Sequence, residues 1–190
     1  MNGDGSLLCM RSGTIVDLAH PDPAVVCIED IAAHLSAINR WVGCLRVPVS
    51  VAAHSVVVSK LITEYGNSWS AAALLHDAAE AYLGDVSWPL KQMIGAPYAD
   101  LEDEWALAIG KRLGYHWADG FAMLKEADTE TLVAEARLFG PPQALEVVRR
   151  NLKRELPNTT RAEKLYTRAL LKDSEAAFLR RWHELTRRDS

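Results

Sequence analysis

His76-Asp77 interrupts an otherwise apolar stretch, Leu74-Leu75-His76-Asp77-Ala78-Ala79-Glu80-Ala81-Tyr82-Leu83-Gly84-Asp85. An imidazole and a carboxylate buried side by side are costly unless they pair or share a cation, so the stretch calls for a partner. Read as part of one helix, His76 and Glu80 lie on the same face, with Asp77 turned about 100° from His76. One ion above that helix takes His76 and Asp77 while Glu80 faces its open coordination position. Two more polar residues interrupt apolar patterns: His54 in Val51-Ala52-Ala53-His54-Ser55-Val56, and Asp128 in Leu124-Lys125-Glu126-Ala127-Asp128. His54 by itself reads as a core histidine bonded to a carbonyl. Together the four residues form a mixed nitrogen and oxygen ligand set suited to one divalent ion such as Zn, Co, Mn or Fe, with room left for water.

The elements that must position these groups are helical, and the chain reads as a single all-α domain over residues 1–190. Apolar spacing predicts helices over residues 28–38 and 48–64. A third, capped by Ser68 or Ser70 and ended at Gly84, carries His76-Asp77. Further helices are expected over about residues 100–113, 119–138, 143–150 and 160–187, the last kinked near Lys172-Asp173-Ser174. Residues 17–30, with Pro21-Asp22-Pro23, read as an extended lead-in, and only residues 14–18 and 25–28 suit short strands. Pro141-Pro142 and Pro157-Asn158 mark turns inside one fold.

Composition narrows the class. The 190 residues carry a formal net charge of −4 and are 49% hydrophobic, enough for a sizeable core and too acidic overall for a nucleic-acid coat. Cys9, Cys27 and Cys44 form no C-x-x-C pair, which argues against a disulfide framework and for a reducing cytoplasm. No window approaches the roughly 18 apolar residues of a membrane span, and residues 1–10 lack the pattern of a secretory signal. A cytoplasmic enzyme or a helical interaction module remains.

The order His54, His76-Asp77, Asp128 resembles the H…HD…D signature of HD-domain phosphohydrolases. His76-Asp77-x-x-Glu80-x-x-x-x-Asp85, followed by Pro89-Leu90-Lys91, is similar to their 5′-deoxynucleotidase branch. Ile38-Asn39-Arg40-Trp41 and the segment from Val49 to Val56 look like the phage-encoded dATP triphosphohydrolases of the DatZ type within that branch. The likeness covers about residues 28–140, leaving residues 141–190 as C-terminal helices. It implies an HD-type helical bundle and a metal-dependent phosphohydrolase that converts dATP to deoxyadenosine and triphosphate. The alternatives are a 5′-deoxynucleotidase acting on monophosphates and, in another class, a non-catalytic HD-like nucleotide-binding or assembly domain.

The same likeness implies roles. The metal activates water and polarises a phosphoryl oxygen. Glu80 accepts a proton or orients the water, and Asp85 assists the leaving 5′ oxygen, anchors the sugar, or merely caps a turn. Arg40, Lys91 and Lys125 hold the phosphates, with further divalent ions on the triphosphate as an option. Trp41 stacks on the base or covers the core edge. Only His116 and His183 follow the motif, which favours one tight metal over two. Trp69, Trp88, Trp105 and Trp117 read as core or interface residues, Trp88 alone as a site neighbour. Trp105, Phe178, Leu179 and Trp182, taken as exposed, point to a homo-oligomer, as does the resemblance to nucleotidases that are themselves oligomeric. No nucleic-acid polymer or membrane is expected as a partner.

Overall fold

The computed structural model describes residues 5–115 and 121–187, so His116 and Trp117 lie outside the described residues. Within them the fold is all-α, with eleven α-helices and one small hairpin. Strands β1 (Leu7–Cys9) and β2 (Ile15–Asp17) pair antiparallel, Leu8 opposite Val16. Buried Asp30 accepts from the Ser12 backbone N–H at 2.8 Å and the Ser12 hydroxyl at 2.6 Å, pinning the hairpin to α1 (Ile28–Ala37). The strand expected over residues 25–28 is absent. Asp22 caps a short 3-10 turn at Pro23–Val25, and Ile28 already opens α1.

The centre is α2 (Val51–Leu61), in which every residue but Lys60 is buried. A helix apolar on all sides must be surrounded, and α2 packs against α1, α3 (Asn67–Leu74), α7 (Phe121–Phe139), α9 (Thr160–Leu165) and α11 (Ser174–Thr186). Ser50 caps α2 by accepting from the Ala53 N–H at 3.1 Å. An isolated bridge between Asn39 and Ser50 brings Arg40 and Trp41 beside the start of this helix. The turn that follows is strained: Trp41 and Val42 have φ of 60° and 52°, left-handed values that a β-branched residue rarely adopts.

The helix expected to run unbroken to Gly84 is instead two. Helix α3 stops at Leu74, and α4 (Glu80–Leu83) starts after an irregular turn that carries His76 and Asp77. His76 supplies the reason. Its Nδ1 lies 2.8 Å from the Ala73 carbonyl oxygen, the acceptor that the Asp77 N–H would need in a continuing helix. The cap also differs, with Gly66 (φ 100°) preceding α3 in place of Ser68 or Ser70. The shared helical face expected for His76 and Glu80 therefore gives way to a turn that aims the two side chains separately.

Helix α5 (Trp88–Ile94) was not foreseen, and α6 (Ala96–Leu113) follows it. Helix α8 (Ala144–Leu152) matches expectation. The C-terminal stretch breaks twice, giving α9, α10 (Arg168–Lys172) and α11. The break at Asp173 falls where the kink was expected, with Asp173 capping α11. Trp105 and Phe178 are fully buried and Trp182 nearly so; Trp105 stacks on Tyr82 at 3.9 Å between ring centroids. These three aromatics are core and not the exposed face expected of them. No described helix is long and apolar enough to cross a membrane.

Candidate metal centre

Helix α2 presents His54, the α3–α4 turn presents His76 and Asp77, and α7 presents Asp128. The structure brings the first three close enough to hold one ion, with ligand atoms within 4.8 Å of one another. Asp128 joins them: its Oδ1 is 3.0 Å from His54 Nε2 and 4.0 Å from His76 Nε2. Asp77 Oδ2 is 3.7 Å from His54 Nε2 and 3.2 Å from His76 Nε2.

Each imidazole is held by its other nitrogen. His76 Nδ1 faces the Ala73 carbonyl, so it must carry the proton; His54 Nδ1 is 2.8 Å from Glu135 Oε1. Both Nε2 atoms are buried and make no well-directed hydrogen bond despite the nearby carboxylates. Two bare imidazole nitrogens converging on two carboxylates, each ring oriented from behind, are what a divalent transition ion requires.

Without an ion, the cluster's charges hold one another. Burial opposes protonation of His76, but Asp77 outweighs it and lifts the imidazole to about 9. Burial would raise Asp77, yet His76, His54 and Arg40 pull it far below the usual carboxylate range. Asp128 is lowered in the same way by His54 and His76. Burial and Arg40 push His54 down, and Glu135 and Asp128 more than compensate.

Glu80 has a different environment. It is almost fully buried, its Oε1 lies 3.3 Å from Lys91 Nζ, and its Oε2 has no partner. Burial, then Asp77 and Asp85, push its carboxyl well above the ordinary range. Asp85 is raised too, chiefly by burial.

The cationic residues sit in places that their sequence positions did not disclose. Arg40 is mostly buried, its Nε 3.1 Å from Glu135 Oε2 and its Nη1 3.4 Å from Asp77 Oδ2. In this arrangement it holds the carboxylates of Glu135 and Asp77. Lys91 donates to Glu102 at 2.6 Å as well as to Glu80, tying α5 to α6 and α4. Trp41 donates its indole N–H to Glu135 at 2.8 Å and packs against the core, which matches the core-edge reading over a free stacking platform.

A cavity of about 600 Å³ opens beside the cluster. Its lining includes His76, Asp77, Asp128, Lys91 and Lys125, with Glu102, Asp103, Trp69, Leu107, Met123 and Leu124 completing most of the wall. Lys125 sits one turn before Asp128 on α7, as expected. Trp69 therefore borders the site, while Trp88 is more than half exposed and lies off the lining. His183 is exposed on α11, away from the cluster.

Glu135 and Tyr166 were missed. Glu135 is completely buried and accepts from His54, Trp41, Arg40 and the Tyr166 hydroxyl, the last at 2.5 Å. One signal was available: Glu135 follows Asp128 by seven residues, two helical turns, and interrupts Val133-Ala134-Glu135-Ala136 just as His54 interrupts α2.

Over 154 residues the chain is 37% identical to the uncharacterized protein RCAP_rcc00048 of Rhodobacter capsulatus, an alignment covering 70% of this chain and 79% of that protein. The chain belongs to that protein's family. The uncharacterized protein YfdR of Escherichia coli is also 37% identical, over 115 residues that span 60% of this chain and 62% of YfdR. No protein-family profile matches the chain. Both relatives are described as uncharacterized, so the chemistry of the site must be argued from its geometry.

Proposed function

We propose that the chain is a metal-dependent phosphohydrolase of deoxynucleotides that cuts at the phosphorus next to the 5′ oxygen. The observation that carries this reading is the convergence of His54 and His76 Nε2, both buried and bare, on Asp77 and Asp128 at the edge of a cavity of small-molecule size. The imidazole share of the set favours one borderline transition ion, Zn, Co, Mn or Fe, over Mg or Ca. When bound, such an ion supplies Lewis acidity that polarises a phosphoryl oxygen and makes water more acidic. The resemblance to HD-domain phosphohydrolases points the same way.

The remaining work belongs to the chain's own side chains. Glu80, its carboxyl pushed up by burial and by Asp77 and its Oε2 unpartnered, is suited to take up or hand over a proton. Asp85, just past the end of α4, is the second carboxyl that can hold a proton for the leaving 5′ oxygen. Arg40 steadies Asp77 from behind. Trp69, Leu107, Met123 and Leu124 give the cavity an apolar wall against which a sugar or base excludes water. A reducing cytoplasm suits the free thiols of Cys9, Cys27 and Cys44.

Charge along the cavity favours the monophosphate. Asp77 and Asp128 are taken up by the ion, Glu102 and Asp103 line the cavity against Lys91 and Lys125, and Lys91 is already paired with Glu102 and Glu80. The second reading, dATP cleaved to deoxyadenosine and triphosphate, is supported by the presence of both Lys91 and Lys125 in the cavity lining, and it requires Lys91 to leave Glu102. Product analysis with deoxynucleoside mono-, di- and triphosphates separates the two. Orthophosphate from monophosphates at the highest kcat/KM is expected, intact triphosphate as the main product moves the reading to the second, and no turnover with any reconstituted metal overturns both.

A further inference from the structure

Glu135 lies behind His54 and has no place in the chemistry above, yet four donors meet on its fully buried carboxylate. His54 Nδ1 and the Tyr166 hydroxyl approach Oε1, at 2.8 and 2.5 Å; Trp41 Nε1 and Arg40 Nε approach Oε2, at 2.8 and 3.1 Å. An ionised carboxylate only accepts, so the neutral imidazole has one tautomer here: Nδ1 carries the proton and Nε2 offers its lone pair to the cluster. We propose that Glu135 is the positioning residue that sets the His54 tautomer for metal binding and ties the Arg40-Trp41 turn to the same carboxylate. This rests on the metal reading above.

The two histidines are not equivalent in this respect. His76 takes its orientation from a backbone carbonyl, which no substitution can invert. His54 takes it from a side chain, and the donors around that side chain make the outcome of a substitution predictable. Trp41 Nε1 and Arg40 Nε can only donate. In Glu135→Gln the amide oxygen must therefore face them, and the amide NH₂ falls on the side of His54 and Tyr166. The Tyr166 hydroxyl can rotate to accept. His54 can accept at Nδ1 only by moving its proton to Nε2, the nitrogen a metal needs bare. The substitution keeps the volume of the side chain and reverses the polarity of one hydrogen bond.

The test measures zinc affinity by calorimetry and the His54 ring nitrogens by long-range ¹⁵N–¹H correlation in full-length protein, the spectra of metal-free samples being taken at a pH where the imidazoles are neutral. In the natural chain His54 is expected with its proton on Nδ1. In Glu135→Gln the proton is expected on Nε2, with zinc affinity lower by about 10- to 100-fold, the usual effect of removing a group that orients a metal-bound histidine. A Glu135→Gln protein with lower thermal stability but unchanged zinc affinity and an unchanged His54 tautomer would assign Glu135 a merely structural role and overturn the proposal. If that variant does not fold, the natural chain decides alone: His54 protonated on Nε2, or bound to zinc through Nδ1, overturns it. A natural chain that binds no zinc while showing the expected tautomer would overturn the metal reading on which the proposal depends, and leave Glu135 as the group that sets the ring.

Discussion

The two ends of the cavity are built on opposite principles. At the His54 and His76 end, two imidazoles are oriented from behind and turn their Nε2 atoms toward two carboxylates, which favour protons on the rings until a cation displaces them. At the Lys91 end the cation is present and already held by Glu80 and Glu102. The first end is prepared for a ligand; the second is satisfied by its own neighbours. On the proposed function the site is organised around one ion and the phosphorus beside it, and a long phosphate tail would have to compete for its counter-charge.

Glu80 pairs with Lys91 and is pushed up by burial and by Asp77, and changing it should give the largest effect. Glu80→Gln should keep the metal and the fold yet lose about 10²- to 10⁴-fold in turnover, the range for general acid-base help. Steady-state kinetics with metal content measured on the same sample checks this, and near-normal turnover with the metal retained would reduce Glu80 to a structural partner of Lys91.

Glu102 sharpens the contrast more gently. Glu102→Gln frees Lys91 from its shorter ion pair without touching the metal group, so kcat/KM for triphosphates should rise by about tenfold relative to monophosphates, the scale of one charge-assisted hydrogen bond. Equal changes for both substrates would show that Lys91 is a strut between helices and not a counter-charge on loan.

The smallest effect is on pH dependence of the metal-free protein. His76 is raised to about 9, above its unfolded value of about 6.5, so its contribution to stability is complete below about 6.5 and lost as pH rises towards 9. Asp77 is depressed, so its contribution is present above about 3.9 and lost as pH falls below that. Metal affinity should move the other way through the upper window, because binding displaces the imidazole protons. Chemical denaturation across pH, with and without zinc, reads both trends; stability of the metal-free chain that rises from pH 6.5 to 9 would contradict the pairing.

The sequence made the helical class and the four cluster residues legible for one physical reason. A polar group inside an apolar helical pattern is expensive, and His54, His76, Asp77 and Asp128 each announce that cost. Glu135 announces it too, but its side chain reads as one more surface charge unless its two-turn spacing from Asp128 is noticed. The break after Leu74 was hidden because it depends on a side chain, His76, taking a backbone acceptor, while the Ala-rich composition there favours a helix throughout. Arg40 and Lys91 were read as cations for phosphate, and their pairing with Glu135, Asp77, Glu80 and Glu102 was not legible, since a sequence shows the sign of a charge and not its partner. Trp105, Phe178 and Trp182 show the same limit for apolar groups: helical spacing puts an aromatic on a face, and only the neighbouring helices decide whether that face is covered.

The metal group of His54, His76, Asp77 and Asp128 is the centre of the proposed chemistry. Elemental analysis of the purified chain and of a His76→Ala, Asp77→Ala double variant, both loaded with zinc and dialysed, tests it in one measurement. About one ion per natural chain and almost none on the double variant is the predicted result, since the ion loses two of its four ligands. Full occupancy in the double variant would contradict it.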